Sequence, residues 1–470
     1  MIDLSFFAGQ RIAVLGLGKS GRAAAVALAR AGAEVLAWDD SEDARDAAER
    51  DGIAPTDLYA ADWSGIDLLV LSPGIAHTHP QPHALAERAR RSGCSIVCDV
   101  ELLVRARRAS QASGRFVGIT GTNGKSTTTA LIAHILDRAG RESAVGGNIG
   151  TPALSLPGLS GDGIYVLELS SYQLELTPGL RCDIAVLLNL SEDHLDRHGG
   201  FEGYVAAKEH VFDGQTGGDT AILGTDDAPS RALRDRLCGR ADGPFVLPVS
   251  AEHAAPGGVY VEGRRLIDDL DGAAAPVMNL DEAAALPGAH NAQNAAAAYA
   301  ATRRLGVAGQ VIADAVRTFP GLPHRQELVG IVDDIRYIND SKATNGESAA
   351  RAVSSYGAVY WIAGGLPKAG GIDAVAPYFS RILHAFLIGD AAAAFAQRLD
   401  GHVPCSTCDD LESAVRAAQA MAAEKGPADA VVLLSPACAS FDQFANFEAR
   451  GEAFRTAVSA LQYRRAEGTA

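Results

Sequence analysis

The chain has 470 residues, enough at roughly 150 per domain for about three domains that each bury a core. Its 57 acidic against 41 basic side chains give a formal charge of −16 at pH 7, which repels nucleic-acid phosphate and anionic membranes and leaves small molecules as the expected partners. The seven cysteines do not make a disulfide framework and point to a reducing cytoplasm, and no apolar run approaches the ~20 residues that cross a bilayer.

The first segment opens Met1-Ile2-Asp3-Leu4-Ser5 without the basic stretch of a secretory leader. A strand at Arg11 to Gly16 then meets the turn Gly16-Leu17-Gly18-Lys19-Ser20-Gly21, an Ala-rich helix to Arg30, and a strand at Glu34 to Trp38 that ends in Asp39-Asp40. This βαβ unit aims backbone N–H groups and a helix N-terminus at an anion, and Asp39 sits where dinucleotide folds bind ribose. NAD fits that loop, and a UDP diphosphate fits it equally well. Further β-type runs at Asp67 to Ser72 and Ser95 to Val100 precede a basic, polar linker from Arg105 to Gly114, which sets the first domain at 1–114.

The second block begins with the strand Phe116 to Thr120 and the loop Thr120-Gly121-Thr122-Asn123-Gly124-Lys125-Ser126-Thr127. Its glycines leave amides free to wrap phosphates, Lys125 adds charge, and Ser126 offers a hydroxyl to Mg²⁺. The strict phosphate-loop pattern puts glycine at position 119, where this chain has Ile119. Glu168 ends the apolar run Gly163 to Leu167, so a parallel sheet delivers its carboxylate to the same edge as the loop. The run Asp183 to Asn189 delivers Ser191-Glu192-Asp193-His194 there too, leaving His194 either a ligand or a hydrogen-bonded structural residue. These residues read as phosphoryl transfer from ATP at a metal-assisted site. The prolines of Phe319-Pro320-Gly321-Leu322-Pro323 close this block, giving domains 115–321 and 322–470. In the third, β-type runs at Ala358 to Ala363, Phe386 to Gly389 and Ala430 to Ser435 alternate with helices, and Cys405-Ser406-Thr407-Cys408 lacks the second pair a zinc site needs. The fold class is α/β, with three domains in series: N-terminal Rossmann-like, central P-loop ATPase-type and C-terminal Rossmann-like.

The motifs together resemble the Mur ligases of peptidoglycan synthesis over essentially the whole length. The resemblance is carried by Gly16 to Gly21, Ser72-Pro73-Gly74-Ile75, Thr120 to Thr127, Gly147-Asn148-Ile149-Gly150-Thr151-Pro152 and Glu168-Leu169-Ser170-Ser171-Tyr172-Gln173-Leu174-Glu175. It continues through Asn189 to Arg197, His290-Asn291-Ala292-Gln293-Asn294, Leu322-Pro323-His324-Arg325, Asn339-Asp340-Ser341-Lys342-Ala343-Thr344-Asn345 and Ser435-Pro436-Ala437-Cys438-Ala439-Ser440-Phe441-Asp442-Gln443-Phe444. The last two segments mark the D-glutamate-adding branch. What the resemblance implies is an ATP-dependent ligase, acting as a cytoplasmic monomer with two Mg²⁺ ions, that activates the carboxylate of UDP-MurNAc-L-Ala as an acyl phosphate for attack by D-glutamate.

Carried over by position, the resemblance makes Lys125, Glu168, His194, Lys208 and Lys342 the catalytic set, with Ser126, Glu168, His194 and a carbamylated Lys208 as metal ligands. It assigns ATP to Gly121 through Thr127 with Asn291, Asn294, Arg325 and Asp340. The UDP-substrate falls to Gly18, Lys19, Ser20, Asp39, Ser72, Pro73, Gly74, Asn148 and Ser170, and glutamate to Thr344, Lys368, Ser440 and Phe447. Without it, Tyr204-Val205-Ala206-Ala207-Lys208 reads as a helix with an exposed lysine. The rivals are a folylpolyglutamate synthase, an NAD-dependent oxidoreductase that leaves the second glycine loop without a purpose, and a non-catalytic nucleotide-binding scaffold.

Overall fold

The computed structural model describes residues 2–110, 114–368, 370–427 and 429–468, so Gln111, Ala112 and Ser113 of the expected linker, and Ala369, lie outside the described residues. Runs such as Leu68-Leu69-Val70-Leu71 and Val431-Val432-Leu433-Leu434 are buried at every position, as strands of a parallel sheet covered on both faces must be. Among the described residues the strands form three sheets. The first is parallel, in the order β2-β1-β3-β4, from β1 (Arg11–Leu15), β2 (Glu34–Trp38), β3 (Leu68–Leu71) and β4 (Ser95–Val97).

The second sheet holds β5 (Arg115–Thr120), β6 (Ser143–Gly147), β7 (Ile164–Glu168), β8 (Ile184–Leu187), β9 (Thr220–Gly224), β10 (Phe245–Ser250), β11 (Val259–Glu262), β12 (Arg265–Asp268) and β13 (Ala275–Asn279). Its order is β13-β12-β11-β10-β9-β8-β5-β7-β6, parallel from β6 to β11 and antiparallel at β12 and β13. With β5 between β7 and β8, the segments leaving these three strands emerge side by side at one carboxyl edge.

Both sheets belong to one compact unit, Met1–Glu282 with Asn291–Thr318. A single buried cluster runs through it from Ile12 and Leu69 to Leu102, Phe116, Leu154 and Leu167. Here the structure departs from the expectation: the strand stops at Val97, and the helix Asp99–Ala109 takes up both its expected end and the first half of the expected linker. The helix buries Val100, Leu102, Leu103 and Val104, while Arg105 pairs with Glu101 at 3.0 Å and Arg107 with Asp183 at 2.6 Å. The arginines that resemble a linker are the polar side of an amphipathic helix.

The second unit is Ala283–His290 with Phe319–Ala470. Its sheet, in the order β14-β15-β19-β16-β17-β18, comprises β14 (Glu327–Val332), β15 (Ile335–Asn339), β16 (Val359–Gly364), β17 (Ile382–Ile388), β18 (Cys405–Thr407) and β19 (Val431–Leu434). Only β14 and β15 pair antiparallel. Trp361 joins one buried cluster while its neighbours Tyr360 and Ile362 join another, so alternate residues of β16 face opposite cores. The β14–β15 hairpin and the antiparallel edge β12–β13 interrupt the expected alternation. All seven cysteines are free thiols, and among the described residues no helix is long and apolar enough to cross a membrane.

Candidate active site

The strand register assembles the phosphate loop's surroundings directly. Ile119 pairs with Glu168 across β5 and β7, and Thr120 with Leu187 across β5 and β8. The loop turns through Gly124 at φ 86°, where a Cβ would lie 2.2 Å from Asn294 Oδ1, so backbone and neighbour both require glycine. Lys125 opens the helix Lys125–Arg138, followed by a buried Ser126 and by Thr127 in its first turn. Its Nζ donates to the carbonyls of Gly121 and Thr122, each at 2.9 Å.

Lys208 reaches the same loop from the helix Phe201–Glu209, donating to the Gly121 carbonyl at 2.9 Å and to Thr120 Oγ1 at 3.4 Å. It is 2% exposed and lies 4.7 Å over the Tyr204 ring, far from the exposed lysine that its local sequence reads as. Burial, with the Lys125 charge second, pushes its amine well below the ordinary lysine range.

Glu168 is buried, and Asn148 Nδ2 donates to one of its oxygens at 2.7 Å. The other oxygen is buried without a hydrogen-bond partner. A bare carboxylate oxygen one strand from a phosphate loop suits a hard cation. His194 caps the helix Leu195–His198 at φ 50°, half-exposed, with Asp193 3.6 Å away and the Tyr172 ring centroid at 5.1 Å. Among the described residues no three His, Cys, Asp or Glu side chains gather into a metal-sized group. Mg²⁺ commonly takes only one or two carboxylates and completes its shell with phosphate and water.

Three more contacts fix the loop. Thr122 Oγ1 receives the Tyr204 hydroxyl and the Ser191 N–H, both at 3.0 Å. Asn189 accepts from the Asn123 N–H at 2.9 Å, and its own amide donates to Gln293 Oε1 at 3.0 Å. Gln293 in turn donates to Asp226 at 2.8 Å. Asn291 and Asn294 share a helix face, as their spacing predicts, and Asn294 donates to Asn291 at 3.1 Å. Asn294 Oδ1, however, accepts from Thr128 at 3.3 Å, which turns this side chain toward the phosphate-loop helix.

On the first sheet, Gly18 caps the helix Lys19–Arg30, with Lys19 and Ser20 in its first turn. Ser72 donates to the Gly16 carbonyl at 2.9 Å, tying Ser72-Pro73-Gly74 to the first glycine loop. Asp39 accepts from the N–H groups of Leu17 at 2.6 Å and Ser41 at 2.8 Å, so its carboxylate also closes that loop internally. Ser170 and Gln173 cap the short helix Ser171–Glu175 reciprocally.

The second unit gathers its own group. Asp340 accepts from Ser435 Oγ at 2.8 Å and the Gln326 N–H at 3.2 Å, and burial pushes its carboxyl up to about 7 against the opposing charge of Arg325. Lys342 Nζ lies 5.1 Å over the Phe447 ring, and Lys368 Nζ is 3.5 Å from Thr344 Oγ1. Ser440 is buried nearby in sequence to Arg450, a residue that the motifs leave out. Arg450 donates to Ser341 Oγ at 3.0 Å and to the carbonyls of Ser341, Cys438 and Ala439 at 2.9, 3.1 and 3.2 Å, stapling the two branch-marking segments together.

Residues 119–302 match the Mur ligase middle domain family. The chain is 51% identical over 463 residues to the UDP-N-acetylmuramoylalanine–D-glutamate ligase of Phenylobacterium zucineum, covering 98% of each chain. The enzyme of the same name from Rhodospirillum rubrum is 51% identical over 471 residues, 99% of this chain and 98% of that one. The chain belongs to the Mur ligases, in the branch of those relatives. Among solved structures, the UDP-N-acetylmuramate–alanine ligase of Thermotoga maritima superposes with a TM-score of 0.59 at 17% identity, covering 96% of this chain and 99% of that one. That likeness shows a shared three-domain Mur ligase fold. Within this Mur ligase the residues around Glu168 gather as the strand order implies, whereas Asn189 and Gln293, present in the motifs, and Arg450, outside them, carry contacts that the motifs did not signal.

Proposed function

We propose that the chain joins D-glutamate to UDP-MurNAc-L-Ala in peptidoglycan precursor synthesis, at the expense of ATP and in the cytoplasm. A carboxylate is inert to amines until one oxygen becomes a leaving group. ATP therefore transfers its γ-phosphoryl group to the substrate carboxylate, releasing ADP, and the deprotonated amine of D-glutamate attacks the acyl phosphate and expels phosphate. The observation that carries this reading is the bare, buried oxygen of Glu168 beside the phosphate loop, where metal-bound triphosphate would be held. The 51% identity to D-glutamate ligases supports the choice of amino acid.

In this reading Gly121 through Thr127, Asn291, Asn294, Arg325 and Asp340 bind ATP. Ser126 and Glu168 would hold one Mg²⁺, with His194 and a carbamylated Lys208 holding a second, to neutralise phosphate charge. Lys125 and Lys208 both donate to the Gly121 carbonyl, a crowding of two amines that a carbamate on Lys208 would relieve by replacing one cation with an oxygen donor. Lys125 and Lys342 would stabilise charge on the transferring phosphoryl group and the tetrahedral intermediate. Gly18, Lys19, Ser20, Asp39, Ser72, Pro73, Gly74, Asn148 and Ser170 would bind the UDP-substrate, and Thr344, Lys368, Ser440 and Phe447 the glutamate. The division at 114 and 321 and a monomeric state belong to the same proposal, and the separate sheets on either side of each boundary support the division.

The deciding experiment measures ADP release with UDP-MurNAc-L-Ala and either D-glutamate, L-glutamate or no amino acid. Release is expected to rise with D-glutamate alone. No rise over the amino-acid-free control would overturn the assignment.

A further inference from the structure

Glu175 ends the short helix Ser171–Glu175 and collects donors from both sheets of its unit. One oxygen is 2.9 Å from His198 Nδ1, and the other is 3.1 Å from His77 Nε2 and 3.4 Å from Arg197 Nη1. Arg197 also reaches Thr78 Oγ1 and the Ile75 carbonyl, each at 3.5 Å, and Arg90 lies 3.1 Å from His77 Nδ1. Ile75, His77 and Thr78 continue the loop that holds Ser72-Pro73-Gly74, whereas Arg197 and His198 lie on the helix capped by His194. The knot thus joins a loop after β3 of the first sheet to loops after β7 and β8 of the second.

The side chains of His198 and Arg197 are 0% and 6% exposed, so these contacts are shielded from competing water. His198 Nε2 also meets Ser171 Oγ at 2.9 Å, a serine–histidine–carboxylate order resembling a hydrolytic triad. Ser171 is 3% exposed, too enclosed to meet an acyl group from solvent. The buried order therefore suits fixing geometry rather than nucleophilic attack. Nothing in the chemistry proposed above uses these side chains.

We propose that Glu175, with His77, Arg197 and His198, is a positioning joint that sets the offset between the acceptor-substrate loop and the phosphate edge, and so selectively governs use of the UDP-substrate. This rests on the functional reading above. The reacting carboxylate must come within about 3–3.5 Å of the transferring phosphorus, and a slip of about 1 Å costs on the order of 10²-fold in rate. The UDP-substrate would be gripped by the Ser72–Gly74 loop and the first glycine loop on the first sheet and by Asn148 and Ser170 on the second, which also holds the triphosphate, so the joint between the sheets sets how the first grip aligns with the second. In the same reading no ATP or D-glutamate contact falls on the Ser72–Thr78 loop.

The test is steady-state kinetics of His77→Ala, Glu175→Gln and the double variant, each with all three substrates varied. His77→Ala removes only the first-sheet arm and should raise KM for UDP-MurNAc-L-Ala roughly ten-fold while KM for ATP and for D-glutamate stays within about two-fold. Glu175→Gln should act in the same direction more strongly and also lower kcat, and the double variant should be no worse than Glu175→Gln alone, because both act through one carboxylate. If Glu175→Gln does not fold, His77→Ala decides. An unchanged KM for UDP-MurNAc-L-Ala, or a parallel rise for all three substrates, in an active wild-type background overturns the joint alone. A wild-type protein without D-glutamate-dependent ADP release overturns the functional reading and the joint with it.

Discussion

Asn189 reads both faces of one phosphate-loop residue, accepting from the Asn123 N–H at 2.9 Å and donating to the Asn123 carbonyl at 3.2 Å. The second hydrogen of its amide goes to Gln293, which leaves the carboxamide no freedom to flip. The loop amides are thus aimed before ATP arrives. Replacing Asn189 by alanine should weaken ATP binding by about 1–2 kcal/mol, roughly ten-fold in KM for ATP, with little change for D-glutamate. Steady-state kinetics would show it, and equal effects on both substrates would contradict the assignment.

Lys208 sits where an unmodified ammonium is least comfortable, buried and sharing a carbonyl with Lys125. Protein equilibrated with ¹³C-bicarbonate should show a carbamate carbon resonance that disappears in Lys208→Ala, and that variant should lose on the order of 10²-fold in turnover. A wild-type spectrum identical to the variant's would remove the carbamate from the proposed metal site.

For Asp340, burial raises the folded-state pKa from the ordinary 3.8 to about 7. Between those values the folded chain holds a proton that the unfolded chain has released. The associated stability is complete below about pH 4 and is lost as pH rises through about 7. Asp340→Asn stays neutral at every pH, so the wild-type Tm should fall relative to the variant's between about pH 4 and pH 7 in nucleotide-free protein. Parallel Tm profiles would show that Asp340 is ionised throughout.

Arg450 satisfies three buried backbone carbonyls, and burial pushes its guanidinium down to about 10. Arg450→Ala should cost about 2–4 kcal/mol by stranding those acceptors, measured as a lowered denaturation midpoint of the second unit. Arg450→Lys should not restore it, since one ammonium cannot span the acceptors that a planar fork reaches. A midpoint matching the wild type in either variant would refute the staple.

What the sequence made legible follows from strand order. Glu168 and His194 could be placed beside the phosphate loop because parallel strands deliver their carboxyl ends to one edge. Lys208 could not, because its burial depends on where the helix Phe201–Glu209 packs, and Tyr204, four residues earlier, carries the lysine inward on the same face. Arg105 and Arg107 misled in the opposite direction: local composition counts charges without seeing their partners Glu101 and Asp183. Arg450 answers to carbonyls more than ten residues away and as far as Ser341, a relationship with no local pattern to betray it.

The buried cluster shared by the first two sheets has an evolutionary consequence. Leu102 and Leu103 pack in the same continuous interior as Phe116 and Leu167, so severing the chain at Gly114 would leave two raw apolar faces. The N-terminal segment is therefore not a cassette that recombination can exchange freely for another nucleotide-recognising fold. Diversification of the acceptor must proceed by substitutions on its surface loops, while the interior they stand on changes only in concert with its neighbour.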